Sequence, residues 1–143
     1  MLHGTQVKTV EIDASPDAAF RTMSRPDLWV RLPGGEPSVL DFRVGGSFAA
    51  SGTFHQPGRP VERVEVRYGY LVIAPPELVY TSELRVNGVV LSVSLITMAF
   101  ADGLLTLTEQ YVFLDSPDAE AGVREREGGT RLMLYGLKAA AEG

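Results

Sequence analysis

Leu78 to Val86 (LVYTSELRV), then Asn87-Gly88, then Val89 to Phe100 (VVLSVSLITMAF) is the stretch that decides the fold. Two runs rich in β-branched and aromatic residues flank an Asn-Gly pair, the strongest short-range signal for a two-residue β-hairpin. Outward from it the same grammar repeats. Ala101-Asp102-Gly103 is a turn and Leu104 to Phe113 the strand after it. Upstream, Pro75-Pro76 breaks the ladder, because neither residue can donate to it. Before that break runs the long alternating segment Val61 to Ile73. Pro57-Gly58-Arg59-Pro60 and Gly45-Gly46 set off two further strands, Ser47 to His55 and Val39 to Val44. Six strands joined by turns predict an antiparallel meander.

The flanks are different. Val7 to Ile12 alternates and reads as a first strand, with His3 in a loose segment ahead of it. Ser15 then offers a helix cap and Pro16 suits the first helical position. Ala18, Ala19, Phe20 and Met23 carry that helix, and a second short one is expected over Asp27 to Leu32, ending at Pro33-Gly34-Gly35. At the other end Ser116-Pro117-Asp118 repeats the helix-start signal. Thr130, Met133, Leu134, Leu137 and Ala141 have the spacing of a buried helix face. Glu120, Arg124, Glu125, Arg126 and Glu127 read as its solvated face. Gly128-Gly129 weakens the helix by about 1 kcal/mol per glycine relative to alanine, which predicts a bend or close packing against the sheet. The fold class is therefore α+β. About seven strands, in the order strand, helix, helix, six strands, helix, curve around a long C-terminal helix in one domain spanning residues 1–143.

Composition bounds the function. The chain has 143 residues, 45% of them hydrophobic and 22% charged, enough for one core. A net charge of -5 argues against nucleic acid or an anionic membrane as partner. No cysteine is present, which removes disulfides, thiolate metal sites and a cysteine nucleophile. No run approaches the ~20 apolar residues of a membrane helix, and no basic-then-apolar leader opens the chain, so a cytoplasmic protein is expected.

Several segments resemble the START-like (SRPBCC) superfamily, also called birch-pollen-allergen-like. They are Leu40-Asp41-Phe42-Arg43-Val44-Gly45-Gly46, Ile73 to Tyr80 with its Pro-Pro-Glu, Leu105-Thr106-Leu107-Thr108-Glu109-Gln110, and Arg126-Glu127 followed by Gly129-Thr130-Arg131. With Leu28-Trp29 after the first helices, they resemble the bacterial branch related to the activator of heat-shock-protein-90 ATPase. The resemblance spans Val7 to Ala141 and implies a helix-grip fold. It departs from the pattern where Gly128 replaces a frequent His, Tyr111 a frequent Gly, and Leu28 the usual Arg.

His3 and His55 are the only histidines, a histidine metal site would need both plus a carboxylate, and neither a metal nor a cofactor is expected. No Gly-x-Ser-x-Gly elbow is present. Glu109 stands out: on its strand it shares a face with Leu105, Leu107, Tyr111 and Phe113. A carboxylate there is costly to bury unless it is paired, with an arginine such as Arg67 or Arg85, or sits at a strand end that reaches water. Otherwise it is a candidate general base for a cyclase or hydrolase, with Tyr80 or Tyr111 orienting a substrate carbonyl. The resemblance implies an apolar cavity between sheet and helix, with Trp29, Tyr80, Met98, Glu109, Tyr111, Met133 and Leu137 as candidate walls and a small hydrophobic molecule as ligand. It also implies, by name, a chaperone ATPase as a possible partner. Val89 to Phe100 is apolar on both faces, which predicts a homodimer contact or a covering helix.

Overall fold

Seven antiparallel strands lie in the spatial order β1-β7-β6-β5-β4-β3-β2 in the computed structural model, which describes every residue except Asp118. Strand β1 is Leu2–Glu11, β2 Val39–Leu40, β3 Ser47–Phe54, β4 Glu62–Ala74, β5 Glu77–Val86, β6 Val89–Ala101 and β7 Leu104–Phe113. Helix α1 (Pro16–Met23) and a short helical turn (Pro26–Leu28) connect β1 to β2, and α2 (Ala119–Glu142) ends the chain. The α+β helix-grip arrangement and the strand count match the expectation.

Local chemistry sets the corners. Asn87 and Gly88 both take positive φ, 52° and 80°, so the β5–β6 turn twists with its strands. Pro75 and Pro76 occupy the β4–β5 turn, joined by a cis peptide. Ser15 caps α1, its hydroxyl accepting from the Ala18 amide at 3.1 Å. Register shifts between Tyr70 and Val72 and between Leu84 and Arg85 bend the long strands, giving the sheet its concave side.

Four expectations are corrected. First, β1 begins at Leu2, and His3 pairs with Val112 rather than lying in a loose segment. All ten residues of β7 offer it a partner, which hydropathy alternation in Leu2–Gln6 did not signal. Second, Val39–Val44 is a strand only over Val39–Leu40. Asp41 to Gly46 instead forms a turn, closed by Gly46 N–H donating to Arg43 O at 2.8 Å. A Cβ on Gly46 would lie 2.1 Å from the Asp41 carbonyl, so glycine is required there. Third, the second helix is the turn Pro26–Leu28 alone. Fourth, Gly128 and Gly129 neither interrupt α2 nor pack closely: both are exposed, and a Cβ at either would meet nothing within 4 Å. Helix α2 starts at Ala119; Asp118 of its expected start signal lies outside the described residues.

The core fills the end of the concave side where α1, the Pro26–Leu28 turn and the second half of α2 meet the sheet. Trp29, Phe48, Tyr68, Tyr70, Tyr80, Met98, Leu134 and Leu137 belong to it. Strand β6 turns Ser92, Ser94, Ile96, Met98 and Phe100 inward, leaving Val93 and Leu95 partly exposed on the convex face. Among the described residues no helix covers that convex face. No helix of the described chain is long and apolar enough to cross a membrane.

Candidate functional site

Two features share the concave face beside the first half of α2: a buried polar cluster and an open cleft. Glu109, on β7, is 1% exposed. Its Oε1 accepts from Gln6 Nε2 on β1 at 2.6 Å. Its Oε2 accepts from the Arg126 guanidinium on α2. Arg126 also donates to Ser94 Oγ at 3.2 Å and to Ser92 Oγ, both on β6. Its charge lies 5.1 Å from the centre of the Phe113 ring. Gln6 Nε2 reaches Thr130 Oγ1 at 3.0 Å, tying α2 to β1. The pairing satisfies both carboxylate oxygens, the condition under which a buried charge is tolerated.

This corrects two expectations. Glu109 pairs with Arg126, not with Arg67 or Arg85. Those two form ion pairs with Glu65 and Glu83 on their own strands. Nor is Arg126 on the solvated face of α2; its side chain is 16% exposed. The signal for this was present: Gly122, Arg126, Thr130 and Leu134 repeat every fourth residue, extending the buried stripe backwards. Likewise Ser92 and Ser94 sit in phase with Ile96 and Met98, and Gln6 in phase with Val10.

The cleft has a volume of about 590 Å³. Its apolar floor includes Val64 on β4, Leu84 and Val86 on β5, and Val90 and Leu91 on β6. Ala121, Gly122 and Glu125 of α2 form one wall. Gly122 leaves no spare room behind that wall, since a Cβ there would stand 2.9 Å from the Phe113 ring. Glu62, Arg59 and Asp115 stand among its polar lining.

None of the seven candidate wall residues lines this cleft. Trp29, Tyr80, Met98 and Leu137 are together in the packed core, with Met133 half-buried against it. Trp29 donates from Nε1 to the Thr22 carbonyl at 2.9 Å, and its ring centre is 6.3 Å from that of Tyr68. The Tyr68 hydroxyl points to Met133 Sδ at 4.0 Å. Tyr111 is half-buried, its ring 5.4 Å from Phe113 and its hydroxyl over Gly4. Among the described residues no group of three or more His, Asp or Glu could hold a metal.

The packed tyrosines have a consequence for alkaline stability. Burial drives the Tyr68, Tyr70 and Tyr80 hydroxyls well above the ordinary phenol value. The folded state therefore keeps protons that the unfolded chain begins to release near pH 10. Stability is full below that pH and falls as pH rises through the folded-state values. The expected loss is about 1.4 kcal/mol per pH unit for each of these buried hydroxyls that stays protonated in the folded state. Urea midpoints should drop between about pH 9 and about pH 11, and Tyr80→Phe should flatten that drop. Equal midpoints at both pH values would refute the burial argument.

No protein-family model matches the chain, and no curated protein does. Solved structures do. An uncharacterised protein from Rhizobium leguminosarum is 28% identical, superposes with a TM-score of 0.77, and aligns over 99% of this chain and 95% of its own. An aromatase/cyclase from a Streptomyces species is 15% identical over 99% of this chain and 94% of its own, TM-score 0.63. A major latex-like protein from Panax ginseng is 11% identical over 97% of both chains, TM-score 0.60. At such identities the last two speak for the fold alone.

Proposed function

The chain has the START-like (SRPBCC) helix-grip fold, and on that premise we propose that it is a binding protein. It takes a small, largely apolar molecule into the cleft between its sheet and the first half of α2. The observation that carries this reading is the cleft itself. Its roughly 590 Å³ falls within the usual 300–1,000 Å³ of small-molecule sites. Its floor is built from Val64, Leu84, Val86, Val90 and Leu91, with charged groups among its lining. An enzymatic role for Glu109 as general base finds less support. Both its oxygens are engaged by Gln6 and Arg126, and it does not line the cleft.

Native mass spectrometry of freshly purified protein, followed by denaturing extraction, should release a bound small molecule. In parallel, the neutral fluorophore N-phenylnaphthylamine should brighten on addition of the protein. Leu84→Arg sets a charge on the apolar floor and should weaken that binding at least about tenfold, equivalent to ~1.4 kcal/mol, while the melting temperature stays near wild type. An apo mass with no probe binding would overturn the proposal, and so would unchanged probe affinity in Leu84→Arg.

A further inference from the structure

The two edges of the sheet are unlike. At one edge β2 is only two residues long, a short strand that offers little to pair with. At the other, β1 runs ten residues in continuous register with β7, without a proline or a bulge.

Which β1 groups are open follows from the ladder. The Ile12 amide donates to the Gly103 carbonyl at 2.8 Å, toward the β7 side. Antiparallel pairing alternates, so Val10, Lys8, Gln6, Gly4 and Leu2 also turn their main chain toward β7. The odd-numbered residues turn theirs outward. At one end of this free edge α2 already supplies partners. Lys138 Nζ donates to the Glu11 carbonyl at 2.8 Å, and Glu142 Oε2 accepts from the Asp13 amide at 2.9 Å. His3, Thr5, Val7 and Thr9 remain, all exposed.

We propose that this edge is an interface for a second copy of the chain, β1 pairing antiparallel with β1 so that two seven-stranded sheets join edge to edge. With Gln6 on the two-fold axis, His3 stands opposite Thr9 of the second copy and Thr5 opposite Val7. All four open residues are then paired, and the capped Glu11 falls opposite Met1, beyond the end of the strand. The surface is self-complementary, as a two-fold contact must be. Thr5 and Val7 are β-branched neighbours suited to a cross-strand pair. Charge favours it too. The chain carries -5, yet Leu2 to Thr9 holds no acidic residue, and its one charged side chain, Lys8, falls opposite Gly4.

The test is sedimentation velocity of the full chain over a rising concentration series. The wild type should shift from 15.5 kDa toward twice that mass. A Thr5→Lys, Val7→Lys chain sets lysine against lysine at both inner pairs and should remain single, as should Thr5→Glu, Val7→Glu. Mixing the two in equal amounts should restore the paired species. Val7→Pro is a second route, because it removes only an outward-facing amide. A wild type that stays single throughout would overturn the proposal. A lysine variant that still pairs, or a mixture that does not, would overturn the assignment to β1.

Discussion

Replacing Arg126 by methionine lowers the free energy of unfolding by about 3–5 kcal/mol. The guanidinium is the counter-charge of Glu109, whose side chain is 2% exposed. Without it the carboxylate keeps only the Gln6 bond, and Ser92 and Ser94 lose their shared donor. Breaking one half of a buried pair costs more than the pair contributes, because the remaining charge cannot recover its hydration. Removing both halves is a different matter. Glu109→Leu with Arg126→Met should regain most of the loss, since an apolar replacement of similar volume leaves no charge behind. Urea unfolding of the two single variants and the double closes the cycle. If Arg126→Met unfolds at the wild-type urea concentration, the cluster is not holding α2 to the sheet.

Trp29→Ala should cost a similar amount, about 3–5 kcal/mol. The indole is 5% exposed, hydrogen-bonded to the Thr22 carbonyl and packed near Tyr68. Gly136 of α2 passes close to its backbone: a Cβ there would be 3.7 Å from the Trp29 Cβ. Truncation would open a void that the joined α1, α2 and sheet cannot fully close. The outcome separates two roles for Trp29. A core residue loses stability and leaves N-phenylnaphthylamine affinity near wild type under folding conditions. A cavity wall would do the reverse, and that pattern would move the binding site into the core.

The fold was legible because its signals are local. Asn87-Gly88, Pro75-Pro76, Ala101-Asp102-Gly103 and Ser15-Pro16 each fix a corner through their own backbone preferences. Strand β1 ahead of Val7 was not legible, because its partner lies at the far end of the chain. Of the site, the inward face of Glu109 could be read from period-two spacing, but its partner could not. Arg126 sits among Arg124, Glu125 and Glu127, where a charge run reads as solvated. Only the fourfold repeat with Gly122 and Thr130 betrays its direction. The cleft was hidden for another reason. Apolar residues near strand ends and deep in strands look alike in sequence, so Trp29, Tyr80 and Met98 stood out where Leu84 and Val90 did not. Which of them is covered depends on where α2 crosses, and that is set by tertiary packing.

The pairing of β1 with β7 bears on how the chain is made. Glu11 meets Leu104, and Leu2 meets Phe113. A ribosome delivers the first strand about a hundred residues before β7, its neighbour in this sheet, a wait on the order of 5–20 s at ~5–20 residues/s. Contacts so distant along the chain also slow the search once synthesis ends. Throughout that interval the nascent segment must stay unpaired and soluble, and its scatter of Thr5, Gln6, Lys8 and Thr9 among few large apolar side chains suits it to that delay.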